Sequence, residues 1–265
     1  MRSLRSPALI ATALVATAIA LVSGCSSDGE PTSTVRIAAA SDLRFALDEI
    51  AVIAERENPG IDIVVTYGSS GQFVQQIRNG APFDMYLSAD RAYVDDLASE
   101  GLADPADVFE YAVGRLVTWY PSGAPTTPDL EGLTDPDVRT VAIANPEHAP
   151  YGRAALAALE STGIRSVVEP KLVLGENVAQ AAEFARTGNA DAAIVALSLV
   201  LADPVRDVGT WTEVPLEAFP RLVQAGTVLS GAQDPDAARA FSAIITGETG
   251  RSILADYGFS FPEQP

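Results

Sequence analysis

The chain has 265 residues, 48% of them hydrophobic. That is enough for a sizeable core in one large or two small domains, and it excludes a disordered or fibrous chain. Seventeen basic residues against 35 acidic ones leave a net charge of −18, which sets the molecule against nucleic-acid phosphates as partners, while its one Cys and one His furnish neither an internal disulfide nor an ordinary metal site.

At the N-terminus, Arg2 and Arg5 precede an apolar run of 16 residues from Pro7 to Val22. This is the layout of a signal peptide over residues 1–24, and it is shorter than the roughly 20 residues of a spanning helix. Leu21-Val22-Ser23-Gly24-Cys25 resembles a lipobox, the bacterial lipoprotein signal, which implies acylation of Cys25. A flexible polar linker over residues 25–34 follows. Removing residues 1–24 takes away Arg2 and Arg5 and leaves 15 basic residues against 35 acidic ones, a charge of −20. The expected product is an acidic extracytoplasmic protein that meets the membrane only through its lipid.

From Val35 the pattern alternates between strand and helix. Val35–Ala40 predicts a short buried strand, and Asp42–Asn58 a helix with Leu43, Ala46, Leu47, Ile50, Ile53 and Ala54 on one face. Ile61–Tyr67 is the next strand, Ser70–Arg78 a helix stopped by Asn79-Gly80, Phe83–Ala89 a strand and Arg91–Ser99 a helix. Arg115–Tyr120 and Arg139–Ala144 predict strands, Tyr151–Ser161 a helix, Lys171–Leu174 a strand, Asn177–Arg186 a helix and Asp191–Leu197 an apolar strand. Leu222–Leu229 is a last strand before closing helices at Pro235–Ile245 and Glu248–Tyr257. The expectation is an α/β chain with mostly parallel sheet covered by helices. No Gly/Ser linker divides it, yet it is long for one sheet, and two lobes joined by crossing strands reconcile those facts. The segment from Pro121 to Pro136, with four prolines and two glycines, reads as a surface excursion of one lobe.

Ligands of open parallel sheets gather where strands end and helices begin, because the first turn of a helix offers unpaired N–H groups and the positive end of its dipole. Four such junctions carry small or hydroxyl residues: Ser41, Ser69-Ser70, Tyr151-Gly152 and Asn177-Val178. At any single junction an ordinary N-cap is the simpler account. Taken together, the doubled serine and the flanking Gly68 and Gly71 point to a ligand approached closely by backbone. Apart from Arg153 the junctions hold no basic residue, so an anion would be held by neutral donors. Acidic groups farther than a Debye length of roughly 8 Å are screened, so the net charge does not oppose this. Catalysis is poorly provided for: G-x-S-x-G and G-x-x-x-x-G-K are both absent, and a Ser-His-Asp arrangement has only His148 to draw on.

Ala39-Ala40-Ser41-Asp42-Leu43, Tyr67-Gly68-Ser69-Ser70-Gly71, Gly80-Ala81-Pro82-Phe83-Asp84, Ser88-Ala89-Asp90, Asn145-Pro146-Glu147-His148-Ala149-Pro150-Tyr151-Gly152 and Gly175-Glu176-Asn177-Val178 occur in an order that resembles the molybdate-binding proteins of ABC importers. The resemblance continues through Ile194–Ser198 to Ile253–Phe259. It implies a two-lobed periplasmic-binding-protein fold of type II with two crossing strands and the ligand in the interlobe cleft. The implied lobes are 35–112 plus 223–265 and 113–222. It further implies a monomer without cofactor, resident metal or enzymatic activity, which captures molybdate, and tungstate with it, for an importer permease. Carried over by position, Ser41 and Ser70 are donors from the first lobe, with Ser69 beside them, and Tyr151 and Val178 offer backbone N–H groups from the second. The family often places a tyrosine hydroxyl where this chain has Ala196, for which Ser198 is the candidate substitute. His148 reads as a structural hydrogen-bonding group of its turn. The competing readings are an extracytoplasmic hydrolase acting through Ser70, a carrier of another oxyanion such as sulfate, and a sensor or adhesion lipoprotein.

Overall fold

Two five-stranded sheets form the frame. A computed structural model of the chain describes residues 33–123 and 128–261; the signal segment and Cys25 lie outside them. In the first sheet β1 (Ser33–Ala40) is flanked by β2 (Ile61–Gly68) and β3 (Met85–Ser88), both parallel to it, and β4 (Phe109–Gly114) forms the far edge. The second repeats this plan with β5 (Leu116–Tyr120), β6 (Val141–Ala144), β7 (Leu172–Gly175), β8 (Ala192–Ala196) and β9 (Thr210–Glu213) in the order β7-β6-β8-β5-β9. The last strand, β10 (Leu222–Val228), returns to the first sheet and inserts between β3 and β4. The chain therefore crosses between the sheets twice, at Arg115 and again between Glu213 and Leu222. All the described residues belong to one compact unit.

Mostly parallel sheets were expected, but half of the pairings are antiparallel: β10 with β3 and β4, and β5 with β8 and β9. The strands that cross enter the other sheet from its opposite end, and this imposes the reversed direction. β4 and β9, which no pattern in the sequence marked, are the two outgoing strands at the sheet edges.

Both faces of β1 are buried, which accounts for its unbroken apolar run. Ile37 and Ala39 pack into the cluster of Leu47, Ile50 and Phe241, whereas Ala38 joins Phe73, Val94 and Leu97 on the other face, as a period of two requires. Helices α1 (Arg44–Glu57), α2 (Ser70–Arg78) and α3 (Arg91–Ser99) cover the first sheet. Helices α4 (Pro150–Ser161), α5 (Arg165–Val168), α6 (Val178–Arg186) and α7 (Leu197–Val200) belong to the second, while α8 (Pro235–Thr246) and α9 (Glu248–Asp256) close the chain on the first. The helix expected from Asp42 begins instead with a 3-10 turn, Ser41–Leu43, and becomes α-helical at Arg44. That turn places Ser41 and Asp42 at the end of β1, both buried.

Candidate functional site

The carboxyl ends of β1, β2 and β3 and the N-termini of α2, α4 and α6 surround one small cavity of about 10 Å³. Ser41, Ser69, Ser70, Tyr151 and Val178 all line it, with Asp42. Each is at most 4% exposed. No lysine or arginine is among the lining residues. At the starts of α2, α4 and α6, the N–H groups of Ser70, Tyr151 and Val178 have no partner among the described residues, and the three helix dipoles add positive potential at the same place.

Only one of the four junction residues acts as an ordinary cap. Asn177 Oδ1 accepts from Gln180 N at 3.0 Å and so starts α6. Ser69 occupies the N-cap position of α2 but makes no capping bond. Its hydroxyl turns to the second lobe, donating to the His148 carbonyl at 2.8 Å and lying 2.8 Å from His148 Nδ1. Ser69 is thus a cross-cleft tie, with its proton already engaged. Ser70 Oγ accepts from Ala89 N at 3.1 Å, and Ser41 Oγ accepts from Ala179 N at 3.3 Å. Both hydroxyls retain a proton that no acceptor among the described residues takes. Ser198 is not brought into the cavity: its hydroxyl donates to the Asp42 carbonyl at 2.7 Å. Ala196, fully buried at the end of β8, offers no polar atom in place of a tyrosine.

Several contacts hold the lobes together over the cavity. Gly71 N donates to the His148 carbonyl at 2.9 Å, and Gln72 Nε2 donates to Glu176 at 2.6 Å. Arg153 on α4 bonds Asp90 at 2.6 Å and the Tyr93 hydroxyl at 2.8 Å while its guanidinium stacks over the Tyr93 ring. A glycine is required at 71, since a Cβ there would stand 2.6 Å from the His148 carbonyl oxygen and 2.7 Å from the Tyr93 hydroxyl. Gly152 plays the same part within the second lobe, where a Cβ would meet the Ala144 carbonyl at 2.1 Å. This lets the start of α4 sit against the end of β6.

Asp42 belongs to the site, and so does Gln224, which no pattern in the sequence marked. Gln224 lies at a β-bulge of β10 and is fully buried. Its Nε2 donates to Asp42 Oδ2 at 2.5 Å, and its Oε1 is 2.9 Å from the Tyr111 hydroxyl. Burial raises the Asp42 carboxyl to about 6, although hydrogen bonds from Gln224 and Tyr151 oppose the shift. Tyr151 and Tyr111 are pushed well above the usual phenol range, first by burial and then by the Asp42 charge. Asp42 Oδ1 is buried and has no partner among the described residues.

A wider groove opens on the other side of Ser41, with a volume of about 370 Å³. Phe45, Trp119, Leu199 and Val205 dominate its wall. Its Arg186 is held bidentate by Glu183 at 2.6 and 2.7 Å. Arg44, Tyr67, Asn177 and Gln180 line it as well.

Residues 35–260 match the model of the bacterial extracellular solute-binding proteins. The chain belongs to that family. Among curated relatives, this solute-binding protein is 36% identical over 245 residues to the molybdate-binding protein ModA of Rhodobacter capsulatus, which spans 92% of this chain and 94% of that one. It is 33% identical to ModA of Azotobacter vinelandii, over 91% and 95% of the two chains. Among solved structures, the periplasmic molybdate-binding protein of Azotobacter vinelandii superposes with a TM-score of 0.79 at 28% identity, covering 86% of this chain and all of that one. The two-lobed type II periplasmic-binding fold and the extracytoplasmic location follow from these likenesses.

Proposed function

We propose that this solute-binding protein captures molybdate outside the cytoplasm and delivers it to the permease of an ABC importer, without catalysing a reaction. The observation that carries this reading is the buried cavity where two serine hydroxyls with uncommitted protons meet three helix N-termini and no basic side chain. Such a shell suits a small, fully ionised tetrahedral oxyanion, whose oxygens accept from every direction. The curated relatives named for molybdate narrow the class. Ser41 and Ser70 are assigned as hydroxyl donors, Tyr151 and Val178 as backbone donors, and Ser69 as the tie that closes the cleft. The lobes 35–112 plus 223–265 and 113–222 are taken as the two bodies that close on the ligand.

Tungstate, close to molybdate in size and charge, is expected to bind nearly as well. Sulfate matches in charge but is smaller, and a cleft closed around molybdate leaves its donors stretched. Calorimetric titration with the three anions tests the reading: affinity for molybdate and tungstate should exceed that for sulfate, and sulfate binding more tightly than molybdate would refute it. Anchoring is a separate part of the proposal and rests on Leu21–Cys25. The membrane-extracted protein should show a diacylglyceryl mass increment on Cys25. Cys25→Ser should leave the signal unprocessed by the lipoprotein route and the protein without acyl chains, while the anion still binds. We take the working form to be a monomer, which light scattering tests.

A further inference from the structure

We propose that Asp42 is a specificity-determining acid of this site, taking up one proton as the oxyanion binds and presenting the resulting O–H of Oδ1 to it. The inference rests on the oxyanion reading above. Asp42 lines the cavity, is 1% exposed, and has one carboxylate oxygen engaged by Gln224 while the other is buried without a partner. An ionised carboxylate against an oxyanion in so dry a place is a repulsive pair, and sharing a site raises the carboxyl group's proton affinity. Protonation converts the misfit into a third kind of donor beside hydroxyls and backbone N–H groups. The free protein is already poised for it, with burial having raised the Asp42 carboxyl to about 6.

Among the described residues no cation is placed to hold Asp42 ionised. From α4 it faces the Tyr151 hydroxyl, from β4 the Tyr111 hydroxyl, and from β10 the neutral Gln224 amide. Ser198 of α7 donates to its backbone carbonyl and not to its carboxylate. On α1 the next residue but one, Arg44, acts electrostatically on Tyr67 and Glu183. On α6, Glu183 and Arg186 pair with each other. The proton balance is simple: one proton leaves buffer and joins Asp42, and molybdate enters unprotonated.

Titration of the purified protein with sodium molybdate in buffers of different ionisation enthalpy, from pH 5.5 to 8, tests this. The expected result is uptake approaching one proton per anion at pH 7.5 and less at pH 5.5. The molybdate dissociation constant should rise toward tenfold per pH unit above pH 6, as proton linkage demands. Asp42→Asn should bind without proton uptake, with an affinity independent of pH and tighter than that of the parent at pH 8. Its melting temperature measured alongside shows that it folds. Molybdate binding with no proton uptake and no pH dependence would overturn the role of Asp42 while leaving the oxyanion reading intact. So would phosphate displacing molybdate at equal concentration without proton uptake, since that makes the ionised Asp42 an acceptor for a protonated anion. Absence of binding by molybdate, tungstate and sulfate alike would overturn both.

Discussion

Ser70 does two jobs with one hydroxyl. Its lone pair serves Ala89 N inside the first lobe, and its proton, which no acceptor among the described residues takes, is free for a ligand in the cavity it lines. Ser70→Ala should therefore weaken molybdate binding by roughly 10- to 150-fold, the range for a hydrogen bond to a charged group, and also lower stability by about 1–3 kcal/mol because a buried N–H loses its partner. Calorimetry and urea unfolding of the same preparation measure the two effects. Asp42 makes a second residue-level prediction, for the protein without ligand. Its folded pKa of about 6 lies above its unfolded value of 3.8. The group's contribution to stability is thus fully present below pH 3.8 and is lost as pH rises through 6. Asp42→Asn should match the parent near pH 4 and exceed it in stability at pH 7, by a margin on the order of 3 kcal/mol. Equal pH profiles for the two proteins would show that Asp42 has an ordinary pKa.

The contact of α2 with the turn before α4 is a close approach between the lobes. Gly71→Ala places a methyl group against the His148 carbonyl and the Tyr93 hydroxyl, and the cheapest relief is a partly open cleft. Affinity should fall about tenfold for each 1.4 kcal/mol of strain. The radius of gyration with saturating molybdate should exceed that of the liganded parent by small-angle scattering. At this scale the sequence was readable where pattern and structure share a period. The strand and helix expected at Ile61–Tyr67 and Ser70–Arg78 appear within a residue of their places, because alternation and Asn79-Gly80 act locally. β4 and β9 were not readable: no local pattern marked them, and what makes them strands is a partner far along the chain. The site divides in the same way. Its donors sit at strand–helix junctions that any α/β pattern advertises, whereas Asp42 meets Gln224 across 182 residues through a bulge that no local pattern announces.

For the whole molecule, the charge of −18 repels an approaching dianion even though the cavity welcomes it. Raising ionic strength from about 10 to 150 mM shortens the Debye length from roughly 30 to 8 Å. The association rate of molybdate, followed by tryptophan fluorescence in stopped flow, should therefore increase with salt; a decrease would mean that a positive local field steers the ligand. The return of β10 to the first sheet also bears on how the chain is made. That sheet lacks its fourth strand, the one between β3 and β4, until residue 228 has been synthesised, whereas the second is complete by Glu213. Synthesis from the N-terminus thus finishes the second lobe first and leaves the first lobe waiting with the edge of β3 unpaired. A chain stopped before Leu222 cannot seal that lobe. The late arrival of β10 keeps the first lobe unsealed until nearly the whole chain has been made, and an unsealed lobe can still be drawn out as an extended chain.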